Sequence, residues 1–188
     1  MQFTISSIVM AGLASVAMAA PTPDTPTTGG DGAPGSFFLV VQSKDNHVNG
    51  CAVSYHTGAG LSDATIADCG PAPPKDFTFV NNKINYLNYG DDIPSAVNAQ
   101  NGLSSYDNWG SVVINAGDAG SNFTYDLATG FLQQENGLGF LACGWAHNGT
   151  WQLFALSSQD APILPNCEAV TVKRGCYNFD PNCVNNTF

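Results

Sequence analysis

Aromatic, amide and imidazole side chains lie close together in one stretch of the chain, GLGFLACGWAHNGTWQLFAL, which covers residues 137–156. Within it, Trp145, His147 and Gln152 flank an Asn-Gly pair. Aromatic rings stack on the apolar faces of sugars, and amide or imidazole groups hydrogen-bond to sugar hydroxyls. We therefore take these three residues as candidate glycan-binding residues.

Two further stretches place aromatic rings beside carboxylates and amides. YGDD contains Tyr89, Asp91 and Asp92, and GLSSYDNWG contains Trp109 next to its final glycine. The same chemistry makes these four residues candidates for sugar recognition. A pair of long polar loops explains the same composition, so both interpretations stand.

The sequence predicts no catalytic residues. Hydrolysis of glycosides needs two paired carboxylates, whereas Asp91 and Asp92 are adjacent and would point apart on a strand. The nucleophile motif GxSxG is absent. Gln133-Gln134-Glu135 contains the Gln and Glu that some secreted fungal β-sandwich peptidases use, but no second matching motif accompanies it. A secreted acid hydrolase with an unrecognised carboxylate site is the alternative function.

The cysteines indicate disulfides rather than thiol or metal chemistry. Their number, six, is even, no CxxC is present, and the three histidines are scattered, so we predict no metal and no cofactor. Proximity along the chain favours three pairs, although spacing alone does not fix them. The favoured pairs are Cys51 with Cys69, Cys143 with Cys167, and Cys176 with Cys183.

The N-terminal segment predicts export. MQFTISSIVMAGLASVAMAA has a short apolar run that ends in Ala17-Met18-Ala19, a small-x-small pattern typical of signal peptidase sites. We predict a signal peptide over residues 1–19 and a flexible Pro/Thr/Gly leader over residues 20–35. The expected location is secreted, extracellular or in the cell wall, with no membrane insertion, because no apolar run reaches bilayer length.

Sequons and charge agree with that location. Asn122, Asn148 and Asn185 begin Asn-x-Thr sequons and are predicted N-glycosylation sites. The chain has 15 acidic and 5 basic residues, for a net charge of −10. Nucleic acids and anionic membranes attract clustered Lys and Arg, so this balance opposes both as partners.

The elements that must position these residues are short strands. Apolar runs such as FFLVV, FTFV and SVVINA are rich in β-branched and aromatic residues, and turn residues separate them. We predict one all-β antiparallel domain over residues 36–188, with a disulfide-containing C-terminal tail. FTFVNNKINYL and FTYDLATGFLQ form a weak repeat of hairpins. A β-trefoil-like barrel and a β-sandwich both accommodate it.

The Asn148-Gly149 pair predicts a two-residue hairpin turn, because both of its central positions favour positive φ. The register that follows sets His147 opposite Thr150, Trp145 opposite Gln152, and Cys143 opposite Phe154. Strand alternation then places Trp151 on a core face and Trp145 on the face that becomes polar near the turn. Trp151 is therefore predicted to be structural, and Trp145 is the candidate for sugar stacking.

The order of these strands resembles a known family. An FTF-type strand with an Asn-rich turn, GFLAC at residues 139–143, the WQLFAL strand and NCEAVTV are similar to fungal secreted cell-wall proteins of the PhiA type. The resemblance runs from Ser36 to Val172 and implies a non-enzymatic wall component with no catalytic residues. The tail RGCYNFDPNCVNNTF and the NAQNGLSSYDNWG loop depart from the pattern, so a separate function of the tail is open.

Together these features predict a secreted, non-catalytic fungal cell-wall or extracellular protein with a structural or glycan-binding role. The expected partners are cell-wall polysaccharide or other wall proteins. An extracellular effector that binds a protein partner has the same sequence features and is a further alternative. The sequence specifies neither the glycan nor the oligomeric state.

Overall fold

A computed structural model of the chain describes residues 35–70, 76–87, 93–99, 108–117, 120–126, 129–136, 138–146 and 149–175. The predicted signal peptide, nearly all of the predicted leader and the tail after Gly175 lie outside these ranges. Within them, no helix has the length and apolar character needed to cross a membrane.

The regular structure in these ranges consists of twelve β-strands. Their bounds are β1 Phe38–Ser43, β2 Asn49–Gly58, β3 Leu61–Ala67, β4 Phe77–Val80, β5 Lys83–Tyr86, β6 Ser95–Ala99, β7 Trp109–Ala116, β8 Phe123–Tyr125, β9 Leu132–Gln134, β10 Phe140–Ala146, β11 Thr150–Leu156 and β12 Cys167–Gly175.

Ten strands form one antiparallel sheet with the order β10-β12-β1-β2-β3-β11-β7-β6-β5-β4. Because β11 also pairs with β10, the first six strands of this order close into a ring of hydrogen-bonded neighbours. The remaining pair, β8 and β9, forms a separate two-stranded sheet. The predicted all-β antiparallel domain is therefore confirmed, and a sandwich-like arrangement fits the strands.

Alternation along each strand builds one main core. In β1, Leu39 and Val41 point into a cluster that also holds Ile84 of β5 and Phe140 of β10. These last two strands lie near opposite ends of the sheet order. Their side chains meet because the sheet folds back on itself, which buries one face of nearly every strand.

The outer faces of several strands are covered as well. Leu141, Cys143 and Phe154 pack with Trp109 and Cys167 in a second cluster on the opposite side of β10 and β11. A strand with both faces buried is hydrophobic at consecutive positions, which explains the unbroken apolar run of GFLAC. This second cluster makes the base of the β10–β11 hairpin an interior element.

Two disulfides tie the strands together. Cys51 in β2 is bonded to Cys69, and Cys143 in β10 is bonded to Cys167 in β12. Both pairs were predicted from proximity along the chain and are confirmed. The third predicted pair, Cys176 with Cys183, lies outside the described residues.

The repeated hairpins of the sequence are present. FTFV and KINY pair as β4 and β5 around Asn81 and Asn82, whose φ angles are 52° and 62°. Two consecutive positive φ angles are typical of a type I′ turn, and Asn tolerates them better than most residues. The second copy forms β8 and β9, in which Phe123 faces Gln134.

The β8–β9 sheet docks on β12 through backbone and aromatic contacts. The Arg174 amide donates to the carbonyl oxygen of Gly130 at 2.9 Å. The guanidinium carbon of Arg174 lies 5.0 Å from the centre of the Phe37 ring and 5.7 Å from that of Tyr125. Cation–π contacts of this kind join the small sheet to the main core.

The register predicted for the β10–β11 hairpin is wrong by two residues at its base. Cys143 lies opposite Gln152 rather than Phe154, and Ala146 lies opposite Thr150, with a bulge between Cys143 and Ala146. The cause is tertiary, because β12 also pairs with β10 and sets Cys143 opposite Cys167. A shift of two residues at Cys143 keeps this side chain on its predicted face.

Candidate functional site

Two of the predicted glycan-binding residues lie in the interior. Trp109 is 4% exposed, and its ring contacts Phe154 edge-on at 5.0 Å between ring centres. Gln152 is 5% exposed within β11, which pairs with three other strands. Neighbouring strands and side chains cover both of them, and their role in glycan binding stays a prediction.

The other predicted candidates lie largely outside the described part of the chain. Tyr89, Asp91, Asp92 and His147 fall in the gaps between the described ranges. Trp145 is part of β10, but only its backbone is described. Their roles in binding stay predictions. Trp151, predicted to be structural, packs against the main core, and that prediction is confirmed.

A surface depression of about 260 Å³ lies where the β8–β9 sheet meets β5 and β6. We call it the polar groove. Its lining residues are Lys83, Ala99, Gly120, Ser121, Asn122, Gln134 and Glu135.

One wall of the polar groove is the segment that leads into β8. The Ser121 amide donates to the carbonyl oxygen of Val97 at 3.1 Å. Gly120 has a φ of +68°, and a Cβ atom there would lie only 2.7 Å from the Cβ of Ala96. Glycine is therefore required at this position, both for the backbone conformation and for the close approach to β6.

Ser121 fixes this wall through its hydroxyl group. Its Oγ accepts a hydrogen bond from the Ala99 amide at 2.9 Å and donates one to Oδ1 of Asn98 at 2.6 Å. Both partners belong to β6. The hydroxyl thus joins the wall to β6 of the main sheet, and the neighbouring Asn122 is exposed on the surface.

Lys83 supplies a cation to the lining of the polar groove. It is the first residue of β5, directly after the Asn81-Asn82 turn. Its Nζ donates to the carbonyl oxygen of Gly120 at 2.6 Å. An ammonium group carries three N–H donors, so this bond uses one of them while holding the group in place.

Asn122 and Glu135 form a further part of the lining. The Asn122 Nδ2 donates to Oε2 of Glu135 at 3.0 Å, and the Glu135 amide donates to the carbonyl oxygen of Asn122 at 3.2 Å. Both residues are exposed. The pair closes the open end of the β8–β9 hairpin and presents a carboxylate and an amide to solvent.

Gln134 is the unusual residue of the polar groove. It is 3% exposed, and its Nε2 donates to the carbonyl oxygen of Gly139 at 2.7 Å and to that of Leu138 at 3.3 Å. Its Oε1 is buried and has no hydrogen-bond partner among the described residues. A buried acceptor without a donor costs about 1–3 kcal/mol. Gln134 is also one of the residues that line the groove.

The sequence alone did not identify this arrangement. In the sequence, Gln133-Gln134-Glu135 resembles only part of a peptidase motif, and no motif includes Lys83. The one sequence signal at the site is the Asn122 sequon, which lies in the groove wall.

The lining chemistry suits binding of a neutral polar molecule. Lys83 and Glu135 contribute one positive and one negative charge, while Ser121, Asn122 and Gln134 contribute donors and acceptors. Among the described residues, Glu135 is the only carboxylate that lines the groove, so the groove does not present the carboxylate pair needed by a glycosidase. The described residues also contain no group of three or more His, Cys, Asp and Glu placed to hold a metal ion.

The volume limits the size of a ligand. Pockets for drug-sized ligands measure about 300–1,000 Å³, and the groove, at about 260 Å³, lies just below this range. It is large enough for one small polar unit, such as a single sugar ring, rather than for several.

Comparison with known proteins gives one family. Residues 34–176 match a family described as a domain of unknown function (DUF7907). No curated protein and no solved structure matches the chain.

Proposed function

The chain belongs to the DUF7907 family, and we propose that it is a secreted, non-catalytic protein of the fungal cell wall or extracellular space that binds a glycan in the polar groove. The observation that carries this proposal is the buried Oε1 of Gln134, which lacks a donor among the described residues. A ligand that donates a hydrogen bond to this oxygen would satisfy it, and sugar hydroxyls are donors of this kind.

The charges of the groove favour a neutral saccharide over an ionic ligand. The Lys83 ammonium and the Glu135 carboxylate offset each other, so neither an anion nor a cation would gain a large net attraction. A hydroxyl group both donates and accepts, so one sugar ring can satisfy Lys83, Gln134 and Glu135 together.

Other features support an extracellular role. Disulfides persist in oxidising compartments, and two are present in the described residues. Asn122 and Thr124 of the first sequon are both exposed, as a glycosylated sequon requires. The resemblance to PhiA-type wall proteins points in the same direction.

The test is retention on insoluble chitin and β-glucan, together with a glycan array. The protein is prepared without N-glycans by export into an oxidising bacterial periplasm, so that both disulfides form. Lys83→Met removes the ammonium but keeps the aliphatic stem, and the matched control is Lys44→Met on the exposed turn after β1.

We expect Lys83→Met to weaken retention about tenfold, which corresponds to about 1.4 kcal/mol, and Lys44→Met to change it little. Retention of no glycan by the parent protein would reject the proposal. Equal retention by both lysine variants would keep glycan binding but remove it from the polar groove.

A further inference from the structure

We infer that the polar groove is also the seat of an N-linked glycan carried by Asn122, so that glycosylation of the chain closes the groove to other glycans. The seat itself rests on the geometry of the sequon and the groove. Only the closing of the groove to external glycans rests on the proposed function.

The geometry of the sequon places its asparagine at the groove and its threonine away from the core. Phe123 is 1% exposed and anchors β8 in the main core, while its neighbours Asn122 and Thr124 are exposed. The Asn122 Nδ2, the atom that would carry the sugar, lies 3.0 Å from Oε2 of Glu135. Asn122 and Glu135 both line the groove.

The modification uses a lipid-linked oligosaccharide of the secretory pathway as its co-reactant. The Asn122 amide nitrogen forms a bond to the anomeric carbon of the first N-acetylglucosamine, and the bond from that carbon to the pyrophosphate oxygen breaks. One amide proton is lost, and the lipid pyrophosphate leaves with the bonding electron pair. The second amide proton remains and can still donate to Glu135.

The first sugar then starts at the wall of a groove that holds about one sugar ring. Its hydroxyl groups and its acetamido N–H are donors of the kind that the buried Oε1 of Gln134 lacks. Its oxygens are acceptors for the ammonium of Lys83. A sugar attached at Asn122 therefore brings the missing donor to the groove without a separate binding partner.

Attachment also changes the competition for the groove. A ligand tethered to its own site has an effective concentration of about the millimolar range for short linkers. A single sugar ring that binds weakly in solution would still occupy the groove when it is covalently attached. Chains that carry the Asn122 glycan would then bind external glycans less well than chains without it.

The first experiment tests only whether the Asn122 glycan is held in the polar groove. Glycosylated protein from a eukaryotic secretory host is treated in the folded state with an N-glycan amidase, and release at each sequon is followed by glycopeptide mass spectrometry. We expect the Asn122 glycan to be released about tenfold faster from Lys83→Met than from the parent protein or from Lys44→Met. Equal rates in all three proteins, or an unoccupied Asn122 in the parent, would overturn the inference.

The second experiment tests the closing of the groove. Thr124→Ala destroys the sequon and leaves every groove residue in place, and Thr124→Ser keeps the sequon as its matched control. Both variants come from the same glycosylating host and are applied to the glycan that the unglycosylated protein retains. We expect Thr124→Ala to be retained about tenfold more strongly than Thr124→Ser.

The outcomes separate the two proposals. If the Asn122 glycan is shielded from the amidase but no form of the protein is retained on a glycan, the binding of the attached glycan in the groove is supported and the glycan-binding function is rejected. Equal retention of both Thr124 variants, with Asn122 occupied in Thr124→Ser, would support the glycan-binding function and overturn the closing of the groove.

Discussion

The β10–β11 hairpin and the β8–β9 hairpin differ in how completely their side chains are covered. In the first, Leu141 and Ala142 point to opposite faces, and both are fully buried. In the second, Phe123 is buried, but Asn122 and Glu135 lie exposed at its open end. The base of the aromatic-rich hairpin is therefore part of the interior, and the short polar hairpin lines the groove.

Strand neighbours explain this difference. β10 pairs with both β11 and β12, so the hairpin has no open edge along these strands and its two faces pack against two clusters. β8 and β9 pair only with each other as named strands and have three residues each. A small sheet covers one face and leaves polar groups at its ends, which is where a ligand can reach them.

The largest expected effect is on stability, at a buried residue that packs against the β10–β11 hairpin. Trp109→Ala removes a buried ring that packs edge-on against Phe154, and we expect the free energy of unfolding to fall by about 3–5 kcal/mol. Urea unfolding followed by circular dichroism measures it. Trp109→Phe keeps an aromatic ring at this site and should lose less. A Trp109→Ala variant that stays stable but no longer binds glycan would place the binding site near Trp109 rather than in the polar groove.

The next largest effect concerns the disulfide of the same hairpin. Joint replacement of Cys143 and Cys167 by Ala releases a cross-link with a sequence separation of 24. The chain-entropy relation gives a loss of about 3.5 kcal/mol for a loop of this length. Chemical unfolding of the double variant under non-reducing conditions measures it. An unchanged midpoint would mean that β12 holds β10 in place without the cross-link.

A smaller effect is expected at the polar groove, on binding rather than on stability. Glu135→Ala should weaken glycan retention about tenfold while changing the free energy of unfolding by less than about 0.5 kcal/mol, since Glu135 is exposed. Asp160→Ala, at an exposed turn, is the matched control.

Trp145→Ala, in the same retention assay, decides between the two hairpins. We expect retention within about twofold of the parent protein, a change of less than about 0.5 kcal/mol. Loss of binding with Trp145→Ala and not with Glu135→Ala would move the site to the β10–β11 hairpin.

At the turn that carries Lys83, the expected effect on stability is smaller than that of either change in the interior. Asn82 has a φ of 62°, and its carbonyl oxygen accepts a hydrogen bond from the Phe123 amide at 2.7 Å. Asn82→Ala should cost about 1 kcal/mol, because alanine tolerates this conformation less well. Asn82→Gly, which tolerates positive φ, should stay close to the parent in thermal unfolding. Equal losses in both variants would indicate that the Asn82 side chain matters more than its backbone.

Part of the fold followed from local patterns. The FTFV and KINY runs with Asn-Asn between them specify a hairpin through strand alternation and turn chemistry alone, and the structure contains it. The pairs Cys51 with Cys69 and Cys143 with Cys167 followed from short separations along the chain. The register at Cys143 did not follow from local patterns, because it depends on pairing with β12, which comes later in the sequence.

The candidate site was largely hidden from the sequence. Lys83, Ser121 and Gln134 come from three separate segments and have no recognisable spacing. Trp109 was selected because an aromatic ring beside polar residues suits sugar binding, yet the same ring is an efficient core residue. Composition does not distinguish these two uses, since burial depends on which strands lie on each side.

The sequence by itself determined the all-β class, two of the hairpins, two of the disulfide pairs and the faces at the base of the β10–β11 hairpin, because these depend on residues that are near one another along the chain. The tertiary structure decided the ring of strands, the bulge near Cys143, the burial of Trp109 and the assembly of the polar groove. Those features depend on contacts between distant segments. The burial of the Gln134 Oε1 without a hydrogen-bond donor among the described residues, for example, depends on the groups that surround it in the fold.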